Sequence, residues 1–170
     1  MGFGAAVATC FNKYANFNGR ARRSEYWWWF LFVILLSIGV SFVAGIADAA
    51  AGTKSFGSLL SVLLDLALLL PNIAVAVRRL HDLNRSGWWY AGPVVIVLFM
   101  LALAVPVFIR IAQNRTNGYD PMDGVPSSAF IIIGLLGFVE AVYGIVLLVW
   151  FCMRGTNGQN RFGPDPIRNF

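Results

Sequence analysis

Four long apolar stretches, residues 27–47, 57–77, 88–109 and 129–151, constrain this chain more than any motif in it. A helix rises 1.5 Å per residue, so crossing about 30 Å of hydrocarbon takes about 20 residues. All four stretches meet that length. The first and third carry no charge, and the second and fourth carry one carboxylate each, Asp65 and Glu140. Helices are expected because an open strand edge in lipid would leave backbone groups unsatisfied. A β-barrel would need short alternating segments rather than continuous runs. Composition agrees: 58% of residues are apolar and 12% charged, against roughly 45–50% and about 25% in soluble domains. A soluble enzyme, a disordered tail and a disulfide-stapled scaffold are thereby excluded. The expected fold is all-α: a polytopic membrane protein with four transmembrane helices. An N-terminal segment 1–26 precedes the transmembrane domain 27–151, and a tail 152–170 follows it.

The charges orient this bundle. Lys13, Arg20, Arg22, Arg23, Arg78, Arg79, Arg85, Arg154, Arg161 and Arg168 fall on one side of the four spans, and Lys54, Arg110 and Arg115 on the other. The positive-inside rule then places the N- and C-termini and the 78–87 loop in the cytoplasm. The net charge of +5 resolves into a strongly positive inner side, a neutral outer side and two acids within the membrane. All six Trp residues, Trp27, Trp28, Trp29, Trp88, Trp89 and Trp150, fall at the same ends of the spans, where an indole keeps its ring buried and its N–H wet. Residues 1–12 lack the positive start and long apolar core of a cleavable signal. Residues 4–17 instead show a helical apolar stripe, which predicts a short N-terminal helix lying in the inner interface.

Asp65 and Glu140 are the candidate intramembrane functional residues, with Asn72 as a third polar group. A carboxylate near mid-bilayer costs about 2.5–3.5 kcal/mol on insertion scales, so each should face protein or water. Ser61, Asp65, Asn72, Ala76 and Arg79 share one helical face, and Pro71 interrupts the hydrogen bonding of that helix. Gly134, Gly137, Ala141 and Gly144 form a small-residue seam beside Glu140, of the kind that lets helices approach closely. Asp65 precedes Arg79 by the same interval as Glu140 precedes Arg154, which raises the idea that the two helix pairs are a degenerate repeat. The third span, with Pro93 and Pro106 and no polar side chain, is expected to face lipid.

Three polar signatures lie on the side assigned to the cytoplasm. They are Gly19-Arg20-Ala21-Arg22-Arg23-Ser24-Glu25-Tyr26-Trp27-Trp28, Arg78-Arg79-Leu80-His81-Asp82 followed by Ser86-Gly87-Trp88-Trp89, and Asn160-Arg161-Phe162-Gly163-Pro164-Asp165-Pro166. Together, in this order, they resemble the bacterial membrane-protein family catalogued as domain of unknown function 805. The resemblance runs from about residue 10 to residue 166. It implies a small multi-pass protein of the bacterial inner membrane and no established activity.

Physically, the signatures allow two arrangements. Glu25 and Asp82 can pair with neighbouring arginines in bidentate geometry, locking helix ends together in a cap made of Arg20, Arg23, Glu25, Arg78, Arg79, His81, Asp82, Arg85 and Arg161. Alternatively Arg20, Arg23, Arg78, Arg79 and Arg85 form a site for anionic lipid headgroups or a phosphate-bearing ligand. His81, Asp82 and Ser86 are too close in sequence to build a hydrolytic triad. One histidine and two separated cysteines offer no metal set, and both cysteines lie near the reducing face. No catalytic residue, cofactor or metal is therefore expected, and no nucleic-acid partner. The leading expectation is a non-enzymatic membrane scaffold that binds lipids, a membrane-protein partner or a second copy of itself. The alternative is a small proton- or cation-linked transporter or channel-like protein using Asp65 and Glu140.

Overall fold

The computed structural model describes residues 1–52 and 55–167; Lys54 and Arg168, two of the cations used for orientation, lie outside the described residues. The chain forms helix α1 (Phe3–Asn12), α2 (Arg23–Ala51) and α3 (Ser55–Asp82), a single 3-10 turn (Gly87–Tyr90), then α4 (Ala91–Thr116) and α5 (Ser127–Cys152). No β-strand is present among the described residues beyond one isolated bridge between Asn160 and Gly163. The four long helices have 26 to 29 residues, about 39–44 Å at 1.5 Å per residue. Each is long and apolar enough to cross a membrane.

Each helix outruns its apolar core. Arg23 to Tyr26 already belong to α2, Arg78 to Asp82 complete α3, and Arg110 and Arg115 lie on α4 rather than in a loop. Backbone amides and carbonyls pair within a helix wherever the chain leaves lipid, so nothing forces the helix to stop at the hydrocarbon edge. Turn chemistry stops it instead. Gly52 takes a left-handed conformation (φ 65°) and its N–H bonds to Asp48 O. At the end of α3, Asn84 does the same at φ 57°. There the Arg85 N–H bonds to Leu80 O at 2.9 Å and the Asn84 N–H to His81 O at 3.0 Å. That is the paired arrangement of a Schellman cap, with Asn in the place that usually holds Gly.

The molecule divides into two units: residues 1–87 with the chain from 151 onward, and residues 88–150. In the first unit α1 covers one side of α2 and α3. Cys10, Ala21, Trp29, Leu68 and Val75 form its core, with Val7, Tyr26, Phe32, Val33, Leu36 and Leu64 packed around them. Phe11 meets Trp29 edge-on at 5.2 Å, and Phe3 meets Trp28 edge-on at 5.8 Å. At the far ends of α2 and α3, the Gly57 N–H donates to both oxygens of Asp48 at 3.1 and 3.2 Å. A Cβ on Gly57 would stand 2.7 Å from Asp48 Oδ2 and 3.2 Å from Ala44 Cβ, so the two helices approach closely here.

In the second unit the Tyr143 hydroxyl donates to Trp89 O at 2.8 Å, and Trp89 meets Trp150 edge-on at 5.3 Å. The turn after α4 is held by Asn114 Nδ2, which donates to Asp123 O at 2.9 Å and Pro121 O at 3.3 Å. No residue of α4 is buried. The glycine seam of α5 behaves differently from expectation. A Cβ on Gly134 or Gly144 would meet nothing within 4 Å, and one on Gly137 only Met100 Cε at 3.8 Å. Small residues permit a close approach; here no facing backbone takes it up.

Candidate functional site: a buried arginine–carboxylate clasp

The three polar signatures converge in the first unit. Gly19, at φ 85°, turns the chain so that the Ala21 N–H bonds to Arg78 O at 2.9 Å. This pins the segment before α2 against the last turn of α3. Arg20 then points inward with 6% exposure, beside Arg78 and Arg79 at 0%, Glu25 at 3% and Asp82 at 4%. Unpaired, any one of these charges would cost several kcal/mol to bury.

Asp82 is the hub. Its Oδ1 accepts from Arg20 Nε at 3.0 Å and lies 2.9 Å from Arg20 Nη2, while Oδ2 accepts from Arg79 Nη1. Beside it Arg78 Nη1 stands 2.9 Å from Glu25 Oε1. Three buried guanidiniums thus face two buried carboxylates, and carbonyl dipoles supply the remaining negative potential. Arg20 donates to Thr156 O, Gly158 O and Gly163 O in the tail. Arg79 donates to Phe151 O at 3.3 Å and to Met153 O, and Arg23 to Cys152 O at 3.3 Å. These last carbonyls lie at the C-terminus of α5, where a helix leaves acceptors unpaired and its dipole attracts cations.

The tail is therefore part of the site. Thr156 donates to Asp82 O through its backbone N–H at 2.9 Å and its hydroxyl at 3.0 Å. Asn160 Nδ2 donates to His81 O at 2.9 Å, and Arg161 Nη2 to Asn84 O at 2.9 Å. The Phe162 ring stacks on His81 at 3.9 Å between centroids and 5° between planes, with the Arg161 guanidinium 4.7 Å from the Phe162 centroid. His81 Nδ1 lies 3.2 Å from Gly19 O. Gly155 passes so close to Asp82 that a Cβ there would stand 2.0 Å from Oδ2. Only glycine fits that crossing. Arg22 extends the clasp to Pro166 O, with Nε at 2.6 Å.

Of the residues assigned to the cap, Arg20, Glu25, Arg78, Arg79, His81 and Asp82 come together, and Arg23 and Arg161 hold its edges. Arg85 is half-buried and serves the α3 cap through its backbone. The anionic-ligand arrangement built from Arg20, Arg78 and Arg79 meets a physical obstacle: all three are buried, Arg20 and Arg79 bonded to the chain's own acceptors and Arg78 ion-paired with Glu25, though its Nη atoms make no hydrogen bond among the described residues. Sequence reasoning missed the acceptors because most are backbone carbonyls, which carry no residue-type signal. It also missed Cys10, buried beside Glu25 and Arg78. Desolvation, reinforced by the Glu25 charge, pushes its thiol up to about 12 against the opposing pull of Arg78.

The three intramembrane polar residues do not share one environment. Asn72 Oδ1 accepts from Trp29 Nε1 at 2.7 Å and joins α2 to α3. Asp65, expected to face protein or water on one helical face with Asn72, Ala76 and Arg79, is exposed on α3. Ala76 and Arg79 are buried, Asn72 is half-buried, and Asp65 makes no hydrogen bond or ion pair among the described residues. In the other unit, Glu140 is half-buried and its Oε2 has no hydrogen-bond partner among the described residues. The interval match between Arg79 and Arg154 also joins unlike environments, since Arg79 is buried and Arg154 exposed.

Comparison with known proteins places the chain. Residues 14–164 match the family described as protein of unknown function DUF805. Among relatives, the inner membrane protein YhaH of Escherichia coli K12 is 30% identical over 155 residues, covering 90% of this chain and 88% of that protein. The inner membrane protein YhaI of the same organism is 33% identical over 153 residues, covering 90% and 87%. No solved structure matches. The chain belongs to the DUF805 family and is an inner-membrane protein.

Proposed function

We propose that this protein is a non-enzymatic membrane scaffold, whose buried clasp fixes helix ends so that apolar helix faces are presented to lipid or to a membrane-protein partner. The observation that carries this reading is the consumption of the polar signatures by one another. Asp82, the only carboxylate near His81 and Ser86 in sequence, is occupied by Arg20 and Arg79. His81 is packed on Phe162 rather than poised beside a nucleophile. Chemistry at a carboxylate or imidazole needs a group free to exchange protons with substrate, and these groups are committed to holding the chain.

A second reading, proton- or cation-linked transport, draws support from the unpartnered Glu140 Oε2 and from Asp65. Two measurements separate them. A scaffold should cross-link reproducibly to the same partner, or to a second copy, in native membranes, and Asp82→Asn should abolish that product. Purified protein in proteoliposomes should then show no proton or cation flux above empty vesicles. A gradient-driven flux lost in Asp65→Asn or Glu140→Gln would overturn the scaffold reading in favour of transport.

A further inference from the structure

A cavity of about 490 Å³ opens between the end of α1, the segment entering α2 and the tail, lined by Thr9, Lys13, Arg20, Arg22, Glu25 and Pro166 among others. Its volume lies in the range of small-ligand sites, about 300–1,000 Å³. Three cations and one carboxylate form its charged wall, and the carboxylate is already held by Arg78 at 2.9 Å. Arg20 and Arg22 are fixed by tail carbonyls. Lys13 is different: the residue is exposed and makes no hydrogen bond or close ion pair among the described residues, its charge acting on Glu25 only through space. The N-cap Arg22 makes no side-chain cap hydrogen bond, and Glu25 is the acidic residue of that first turn of α2, so its charge and the helix dipole meet there.

The apolar surroundings say which anion such a wall would meet. The cavity adjoins the turn of α2 that carries Trp27, Trp28 and Trp29, a signature of the membrane interface. Phe3, Phe11 and Trp28 are each about two-fifths exposed, and Phe3 and Trp28 pack edge-on. A cationic hollow with apolar lining, on a unit whose α1 and α2 also expose aromatic rings, suits a molecule with a phosphate head and an apolar body. Glu25, in the same wall, can accept from a hydroxyl or ammonium on that head.

We propose that this cavity binds a phosphate-bearing headgroup, with Lys13 as the contact that the chain's own fold leaves open. This site shares Arg20, Arg22 and Glu25 with the edge of the clasp, adds Lys13, and stands whether or not the scaffold reading holds. The test uses the purified full-length chain in detergent with two probes, phosphatidylglycerol and inorganic phosphate, followed by native mass spectrometry and thermal melting. Phosphatidylglycerol should stay bound and raise the melting temperature. Lys13→Gln should bind it about fivefold more weakly, the effect of one interfacial cation. A Lys13→Arg variant should bind as wild type, which separates loss of charge from loss of fold. If inorganic phosphate alone stabilises the protein and displaces the lipid, the phosphate site stands with a soluble phosphate as its source. If it does not, the lipid headgroup is the source. Equal binding of phosphatidylglycerol by wild type and Lys13→Gln, with no effect of phosphate on either, would overturn the proposal.

Discussion

Asp82 accepts from two arginines on different segments while its own backbone carbonyl anchors Thr156. Removing one partner from a buried pair strands the other charge, at a cost of about 3–5 kcal/mol. Asp82→Asn should therefore lower the melting temperature of the detergent-solubilised protein sharply, as read by tryptophan fluorescence. Gly155→Ala should do the same without altering charge, because its methyl group would collide with the Asp82 carboxylate. A melt unchanged in both variants would mean that the clasp does not hold the fold. The two cysteines give a separate check. Thiolate is the form that reacts, and Cys10, buried with its thiol pushed up to about 12, stays protonated at pH 8. Maleimide should label the exposed Cys152 readily and Cys10 only after unfolding. Rapid labelling of Cys10 in the folded protein would contradict its placement.

At the scale of elements, what could be read from the sequence was what residue type encodes. Helix number follows from the length of the apolar runs. The expectation that the apolar stretch 88–109 faces lipid follows from its lack of polar side chains, and the pairing of Glu25 and Asp82 with arginines from their charge. Helix ends were less legible, since polar residues continue a helix as readily as apolar ones once outside lipid. The surroundings of Asp65 were less legible, because helical periodicity puts residues on a common face but does not say how far along the helix a neighbour covers it. The α3 cap yields a prediction at this scale. Asn84 holds a left-handed conformation that costs a β-branched residue about 1–2 kcal/mol. Asn84→Gly should melt within a degree or two of wild type, whereas Asn84→Val should be destabilised by about that amount in denaturant or thermal titration. Equal effects from the two would argue against a Schellman stop at that position.

For the whole molecule, the surplus of positive charge has two fates. Arg20, Arg78 and Arg79 are buried in the clasp, while Lys13, Arg23, Arg154 and Arg161 remain exposed. These exposed cations, with the tryptophan-rich helix ends, underlie the expectation that both termini face the cytoplasm. A C-terminal reporter that functions only in the cytoplasm should be active, and a periplasm-dependent one silent. The reverse pattern would invert the topology. The clasp's central property is that it couples the tail to two distant segments of the chain, and hydrogen–deuterium exchange reads that coupling directly. Amides of residues 155–163 should exchange slowly in the wild-type protein. They should become fast in both Asp82→Asn and Arg20→Gln, while peptides from α4 and most of α5 stay unchanged. Tail exchange that is already fast in wild type, or that neither substitution accelerates, would contradict the account.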